Sequence, residues 1–162
     1  MSNRRKFLVE VVATGMPDSK CEICAFRNPK PTVTGLIINR DRKVLLSKRT
    51  IEPFAGWWDL VGGYMSEKET PEEALKREIK EELGVGCKSL KLLDFFSGNA
   101  TYKHYEYPVI SICYLVELDS ENFNLDTSEI MEARWFSAAE LPQIAFDSNV
   151  KIIEYAKTRG II

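Results

Sequence analysis

The sequence predicts a single α/β domain, on three observations. β-branched apolar runs such as Thr32 to Ile38 and Val109 to Leu118 have strand composition. The segment Thr70 to Gly84 has a helical apolar stripe with both ends marked, and Asn149 to Arg159 closes the chain as a second helix ahead of Gly160. At 162 residues a chain can bury roughly two thirds of its unfolded surface, so neither disulfides nor a structural metal are needed for stability. Twenty-two Lys and Arg against 24 Asp and Glu leave no basic excess, so no nucleic acid polymer is expected as a partner. No window reaches the ~20 apolar residues of a membrane span. Arg4, Arg5 and Lys6 precede a short apolar run that Glu10 interrupts, so a cytoplasmic location is expected.

The elements follow in order. Lys6 to Val12 reads as a strand and Asp18 to Pro31 as a polar turn segment, so the chain divides into an N-terminal segment, 1–31, and a main domain, 32–162. Cys21 and Cys24 stand in that turn, at the spacing of half a structural zinc site. A structural turn, zinc completed across a dimer, and redox use all remain open for the pair. Thr32 to Ile38 and Lys43 to Ser47 flank the polar Arg40-Asp41-Arg42 and read as a hairpin. A loop from Arg49 to Gly56 leads to a short strand, Trp58 to Val61, that runs into Gly62-Gly63. In the first helix Thr70 is the N-cap, Pro71 the first helical residue and Glu73 the partner in a capping box. Ala74, Leu75, Ile79 and Leu83 form the buried stripe, and Gly84 supplies the left-handed stop. Strands are expected at Leu90 to Phe96, Val109 to Leu118 and Ala133 to Phe136, then a short helical turn at Ser137 to Leu141.

Glu78, Glu81 and Glu82 lie at i, i+3 and i+4, so they project together from the face opposite the stripe. Like charges at this spacing repel by some tenths of a kcal/mol per pair. A solvated acidic face is the plain reading. A hard divalent cation such as Mg²⁺, shared with substrate phosphates, would instead make the arrangement favourable.

The surrounding spacing separates the two. Gly63, five residues, Glu69, seven residues, Arg77-Glu78-Ile79-Lys80-Glu81-Glu82-Leu83-Gly84-Val85 matches the Nudix box without gap or departure. Seven fixed residues plus two aliphatics arise by chance about once in 10⁹ start positions or more rarely. The sequence therefore resembles the Nudix hydrolase family, and the resemblance covers about residues 32 to 158, with Val61 where a proline is commoner. It implies an α/β/α sandwich with a curved mixed sheet, and Mg²⁺-dependent hydrolysis of a pyrophosphate bond, with Mn²⁺ able to substitute. Glu78, Glu81, Glu82 and the Gly62 carbonyl match metal ligands. Glu69 and Arg77, with Gly63, match positions that support the loop and helix. Candidate general bases are Glu78 in the box and Glu129 or Glu132 outside it, with Glu129 favoured.

The organic half of the substrate is expected to meet residues outside the box. Arg49 can fork onto a phosphate. Phe54, Trp57 and Trp58 precede the Gly-Gly turn, and Tyr102, His104, Tyr105 and Tyr107 form a second aromatic cluster in a predicted loop. Of these, Trp57, Tyr102 and Tyr105 are the candidate base-stacking residues. The segment Cys21 to Pro31 looks like half of the ribbon that precedes the catalytic domain in relatives acting on NADH and ADP-ribose, although its other cysteine pair is absent. The resemblance thus implies a small-molecule nucleotide as substrate, ADP-ribose or a similar sugar nucleotide first and modified nucleoside triphosphates second. A non-catalytic nucleotide-binding module is the reading from another class. Homodimerisation is a further implication of the resemblance.

Overall fold

A computed structural model describes residues 28–102 and 105–162. The expected N-terminal strand and the Cys21/Cys24 turn lie outside the described residues. The described residues form seven strands and two helices: β1 (Lys30–Ile37), β2 (Val44–Arg49), β3 (Trp58–Asp59), β4 (Val61–Tyr64), α1 (Pro71–Leu83), β5 (Cys87–Tyr102), β6 (Tyr105–Leu118), β7 (Ile130–Phe136) and α2 (Asp147–Thr158). The α1 boundaries are those its sequence predicts. Thr70 is extended, its hydroxyl accepts from the Glu73 amide, and Glu73 reaches back to the Thr70 amide. Gly84 closes the helix at φ 71°, donating to the Lys80 carbonyl at 3.1 Å.

The strands form two sheets between the helices. One has the order β4-β1-β6-β5 and is mixed, with β1 and β6 parallel; the other, β3-β2-β7, is antiparallel. β1 and β2 do not form the hairpin expected from their sequence. They share a single bridge at Ile38 and Val44 and then diverge into different sheets. The Asn39 carboxamide oxygen, accepting from the amides of Asp41 and Lys43, folds the corner between them. The predicted strand Trp58 to Val61 is likewise divided at Leu60, where the chain passes from one sheet to the other. That crossing delivers Gly62-Gly63 to the edge of the mixed sheet, beside α1.

Both faces of this layer are buried. Val33 and Ile37 of β1 and Leu45 of β2 pack with Leu75, Ile79 and Leu83 of α1, whereas Leu36, Val44 and Leu46 pack with Ile152, Ile153 and Ala156 of α2. Alternation along β1 and β2 thus feeds two cores, the α/β/α arrangement. β5 and β6 exceed the predicted lengths because one ladder runs from Cys87↔Leu118 to Tyr102↔Tyr105 with two irregularities. Gly98, Asn99 and Pro108 lower local strand propensity, but pairing overrides it, and Asp147 of α2 accepts from the Asn99 amide at 2.9 Å. The predicted helical turn after β7 is one turn, closed by Glu140 N–H donating to the Ser137 carbonyl.

Ile79 has no exposed surface and joins α1 to both sheets. Ile79→Ala should cost about 2–5 kcal/mol, lowering the thermal midpoint by roughly 5–15 °C. A calorimetric shift under 2 °C would mean that this core does not hold the helix.

Candidate active site

The site begins where two glycines let a helix approach a strand. Gly62 pairs with Thr34 at φ 154°, and a Cβ there would strike the Val33 carbonyl oxygen and lie 2.9 Å from the Thr34 Cα. At Gly63 a Cβ would lie 2.5–2.8 Å from all three carboxyl atoms of Glu78. The acidic face of α1 is therefore seated on bare β4 backbone, and any side chain at Gly63 would displace Glu78.

Arg77 organises this face. Its NH2 group donates to Glu69 at 2.8 Å and to the Tyr64 carbonyl at 3.0 Å, and Nε donates to the second Glu69 oxygen at 3.1 Å. NH1 spans Glu78 at 2.7 Å and Glu81 at 3.0 Å. Glu69 also accepts from the Ser66 amide and hydroxyl, and these bonds with Arg77 hold its carboxyl down at about 2. Glu78 is different: burial pushes its carboxyl up, against the pull of the Arg77 bond.

Glu82 is the buried member, 6% exposed. Oε1 accepts a long bond from the Gly62 amide at 3.4 Å, and among the described residues Oε2 has no hydrogen-bond partner. Burial, then the charges of Glu78 and Asp59, raise its carboxyl well above the ordinary range. A buried carboxylate with an unpartnered oxygen is costly alone and fits a hard cation. No three carboxylate, thiol or imidazole groups among the described residues converge as a preformed metal cluster. The Arg77 guanidinium stands between two of the carboxylates, bonded to both Glu78 and Glu81. Glu78, Glu81, Glu82 and the Gly62 carbonyl could hold a cation once Arg77 withdraws toward Glu69 and Tyr64.

These groups line a cavity of about 350 Å³. Arg49, Asp59 and Glu129 line the same cavity. Arg49 donates to Asp59 at 3.3 Å and to the Pro53 carbonyl at 2.9 Å, and lies 5.0 Å from the Phe146 ring centre. Asp59 also accepts from the Leu60 amide and from Asn149 of α2, and burial raises its carboxyl to about 6. Glu129 is held at the start of β7, its amide donating to Asp126 and its carbonyl accepting from the Thr50 amide at 2.8 Å.

The description "NUDIX domain" is that of the family model matching residues 28–155. An ADP-ribose pyrophosphatase of Methanocaldococcus jannaschii is 36% identical over 135 residues, covering 83% of this chain and 78% of that protein. The chain belongs to the NUDIX family. Hydrolases of this family generally depend on a divalent metal. The MutT NUDIX hydrolase of Burkholderia pseudomallei superposes with a TM-score of 0.68 at 28% identity, covering 78% of this chain and 97% of that one. The NUDIX domain of Shewanella oneidensis NrtR, solved with ADP ribose, gives 0.69 at 23% identity, covering 93% and 97%, and shows the same fold.

Within this NUDIX site the geometry brings Gly62, Gly63, Arg77, Glu78, Glu81, Glu82, Arg49 and Glu129 to one cavity. Glu69 stands behind Arg77. Glu132 pairs with Lys48 on β7 and is not among the lining residues. Trp57 packs on Phe54 at 5.1 Å and does not line the cavity either. The backbones of Tyr102 and Tyr105 pair in the ladder at the tip of the β5-β6 hairpin rather than forming a loop, and His104 lies outside the described residues. Tyr107 is buried in β6. Asp59 and Asn149 join the site without any motif to mark them. A signal existed for Asn149, an amide at i−3 and i−4 from Ile152 and Ile153 on the buried face of α2.

Because folding raises the Glu82 pKa, the stability that its protonated form contributes is present below ~4.5 and is lost as pH rises. Metal-free Glu82→Gln should therefore melt roughly 2–8 °C above the parent at neutral pH, with the gap closing toward pH 4.5. Equal or lower midpoints at pH 7.5 would contradict the burial argument.

Proposed function

We propose that this chain is a Mg²⁺-dependent hydrolase cleaving the pyrophosphate bond of a nucleoside diphosphate linked to a second moiety, ADP-ribose being the first candidate. The observation that carries this reading is the unpartnered, buried Glu82 oxygen beside Glu78 and Glu81 in a cavity that also holds Arg49 and Glu129. The M. jannaschii relative, named as an ADP-ribose pyrophosphatase, supports the choice of substrate. Mn²⁺ should substitute, since the proposed donors are all oxygens.

A divalent cation bound by Glu78, Glu81, Glu82 and the Gly62 carbonyl would neutralise the pyrophosphate oxygens and acidify a water. Arg49, steadied by Asp59 and Pro53, would bind a phosphate oxygen in the same cavity. Arg77, anchored by Glu69 and the Tyr64 carbonyl, would keep α1 seated on β4 as its NH1 contacts are released. Glu129 would accept the proton of the water that attacks one phosphorus, while the other phosphate leaves with the bridging oxygen. No covalent intermediate on the protein is required. A formal charge of −2, with no overall basic excess, supports a small nucleotide as the partner.

The test is a panel of ADP-ribose, NADH, diadenosine polyphosphates and oxidised nucleoside triphosphates with Mg²⁺ or Mn²⁺, with products identified by mass. ADP-ribose should give AMP and ribose 5-phosphate. Glu129→Gln should lower kcat by about 10²–10⁴-fold, as for loss of a general base, and Glu82→Gln should abolish turnover. Preferential cleavage of oxidised triphosphates would move the assignment to the second substrate class. No cleavage of any compound with either metal would leave the non-catalytic binding module.

A further inference from the structure

Among the described residues that line the cavity, Tyr64 is the one with an aromatic ring. It is 45% exposed, directly after Gly62-Gly63 on β4. A half-exposed ring needs explaining because its position is so firmly fixed. Its carbonyl accepts from Arg77 at 3.0 Å, and its hydroxyl meets that of Tyr107 at 2.5 Å. Tyr107 is itself anchored, 7% exposed, clustered with Ala100 and Val109, and covered by the Lys30 ammonium 4.6 Å from its ring centre. The two rings are tilted by 35° with centres 6.5 Å apart, so they meet at their hydroxyl edges and do not stack. The Tyr64 ring thus has little orientational freedom left to lose, while nearly half its surface stays open beside the carboxylates and Arg49.

We propose that Tyr64 is a stacking platform for the planar base of the substrate, braced from behind by Tyr107, and that it selects base-bearing over base-free pyrophosphates. This rests on the pyrophosphohydrolase reading above and adds a specificity-determining residue that the motif does not contain. The competing explanation is that the hydroxyl pair is a strut tying β4 to the β5-β6 hairpin. The two differ in what they require of residue 64, since a platform needs an aromatic face and a strut needs the hydroxyl.

Wild type, Tyr64→Phe, Tyr64→Trp and Tyr64→Leu are compared on ADP-ribose and on its analogue with hydrogen in place of adenine, with thermal midpoints as a folding control. The platform predicts that Tyr64→Leu raises KM for ADP-ribose roughly 5- to 100-fold, with kcat within about threefold and no change on the base-free compound. Tyr64→Phe and Tyr64→Trp should stay within about threefold of wild type in KM. An independent readout needs no variant to fold: the adenine protons of AMP bound to wild type should shift upfield in the NMR spectrum, and their failure to do so overturns the platform. A Tyr64→Phe loss as large as that of Tyr64→Leu overturns it in favour of the strut. Wild type that cleaves both compounds equally removes the platform and leaves the hydrolase standing, whereas cleavage of neither removes both.

Discussion

The site depends on one close approach, that of the Glu78 carboxylate to the bare backbone of Gly63. Only hydrogen fits in that space, as a methyl group would lie 2.5–2.8 Å from the carboxyl atoms. Because the gap is filled by a charged group rather than an apolar one, α1 presents its acidic face inward toward β4 while its opposite stripe packs with the core. The helix therefore makes contacts on two faces, with Glu82 buried and Glu81 exposed on the acidic one. The stripe of Leu75, Ile79 and Leu83 gives it stability, and the other face gives it a concentration of negative charge that would be unfavourable anywhere else.

Arg77 reconciles these demands. One guanidinium contacts three carboxylates and a carbonyl, so the metal-free protein balances much of its acidic face internally. Glu82 lies outside that balance, with an oxygen that no described residue satisfies. The same feature explains why substitution of Glu82 should stabilise the metal-free protein while destroying its proposed chemistry, a familiar opposition between stability and a strained functional site. The Arg49 side of the site follows similar logic. Asp59 is buried yet holds Arg49 in place, and Asn149 of α2 supports Asp59 from behind, so α1 and both sheets line the cavity while α2 braces it.

Local chemistry made the α1 segment legible in the sequence. Thr70, Pro71, Glu73 and Gly84 each act within a few residues, and the box spacing needs no tertiary knowledge. The α/β/α class was legible through the same local features together with the family resemblance. Elements whose shape depends on distant partners were not. The β1-β2 hairpin became a corner because β1 finds better partners in β4 and β6, and the β5-β6 ladder extended through Gly98 and Pro108 because α2 supports it. Substrate contacts were the least legible, because proximity in sequence does not determine which rings reach the cavity. Trp57 packs on Phe54 away from the cavity, while Tyr64, a single aromatic beside two glycines, carries no local signal of its place in the site.

The most direct measurement is anomalous diffraction from crystals soaked in Mn²⁺. A manganese peak against the Glu82 carboxylate, with the Arg77 guanidinium withdrawn from Glu78 and Glu81 but still bonded to Glu69, is the predicted result. Crystals that show no manganese there at saturating concentration, with Arg77 still bridging Glu78 and Glu81, would contradict the claim that this acidic face is built for a cation.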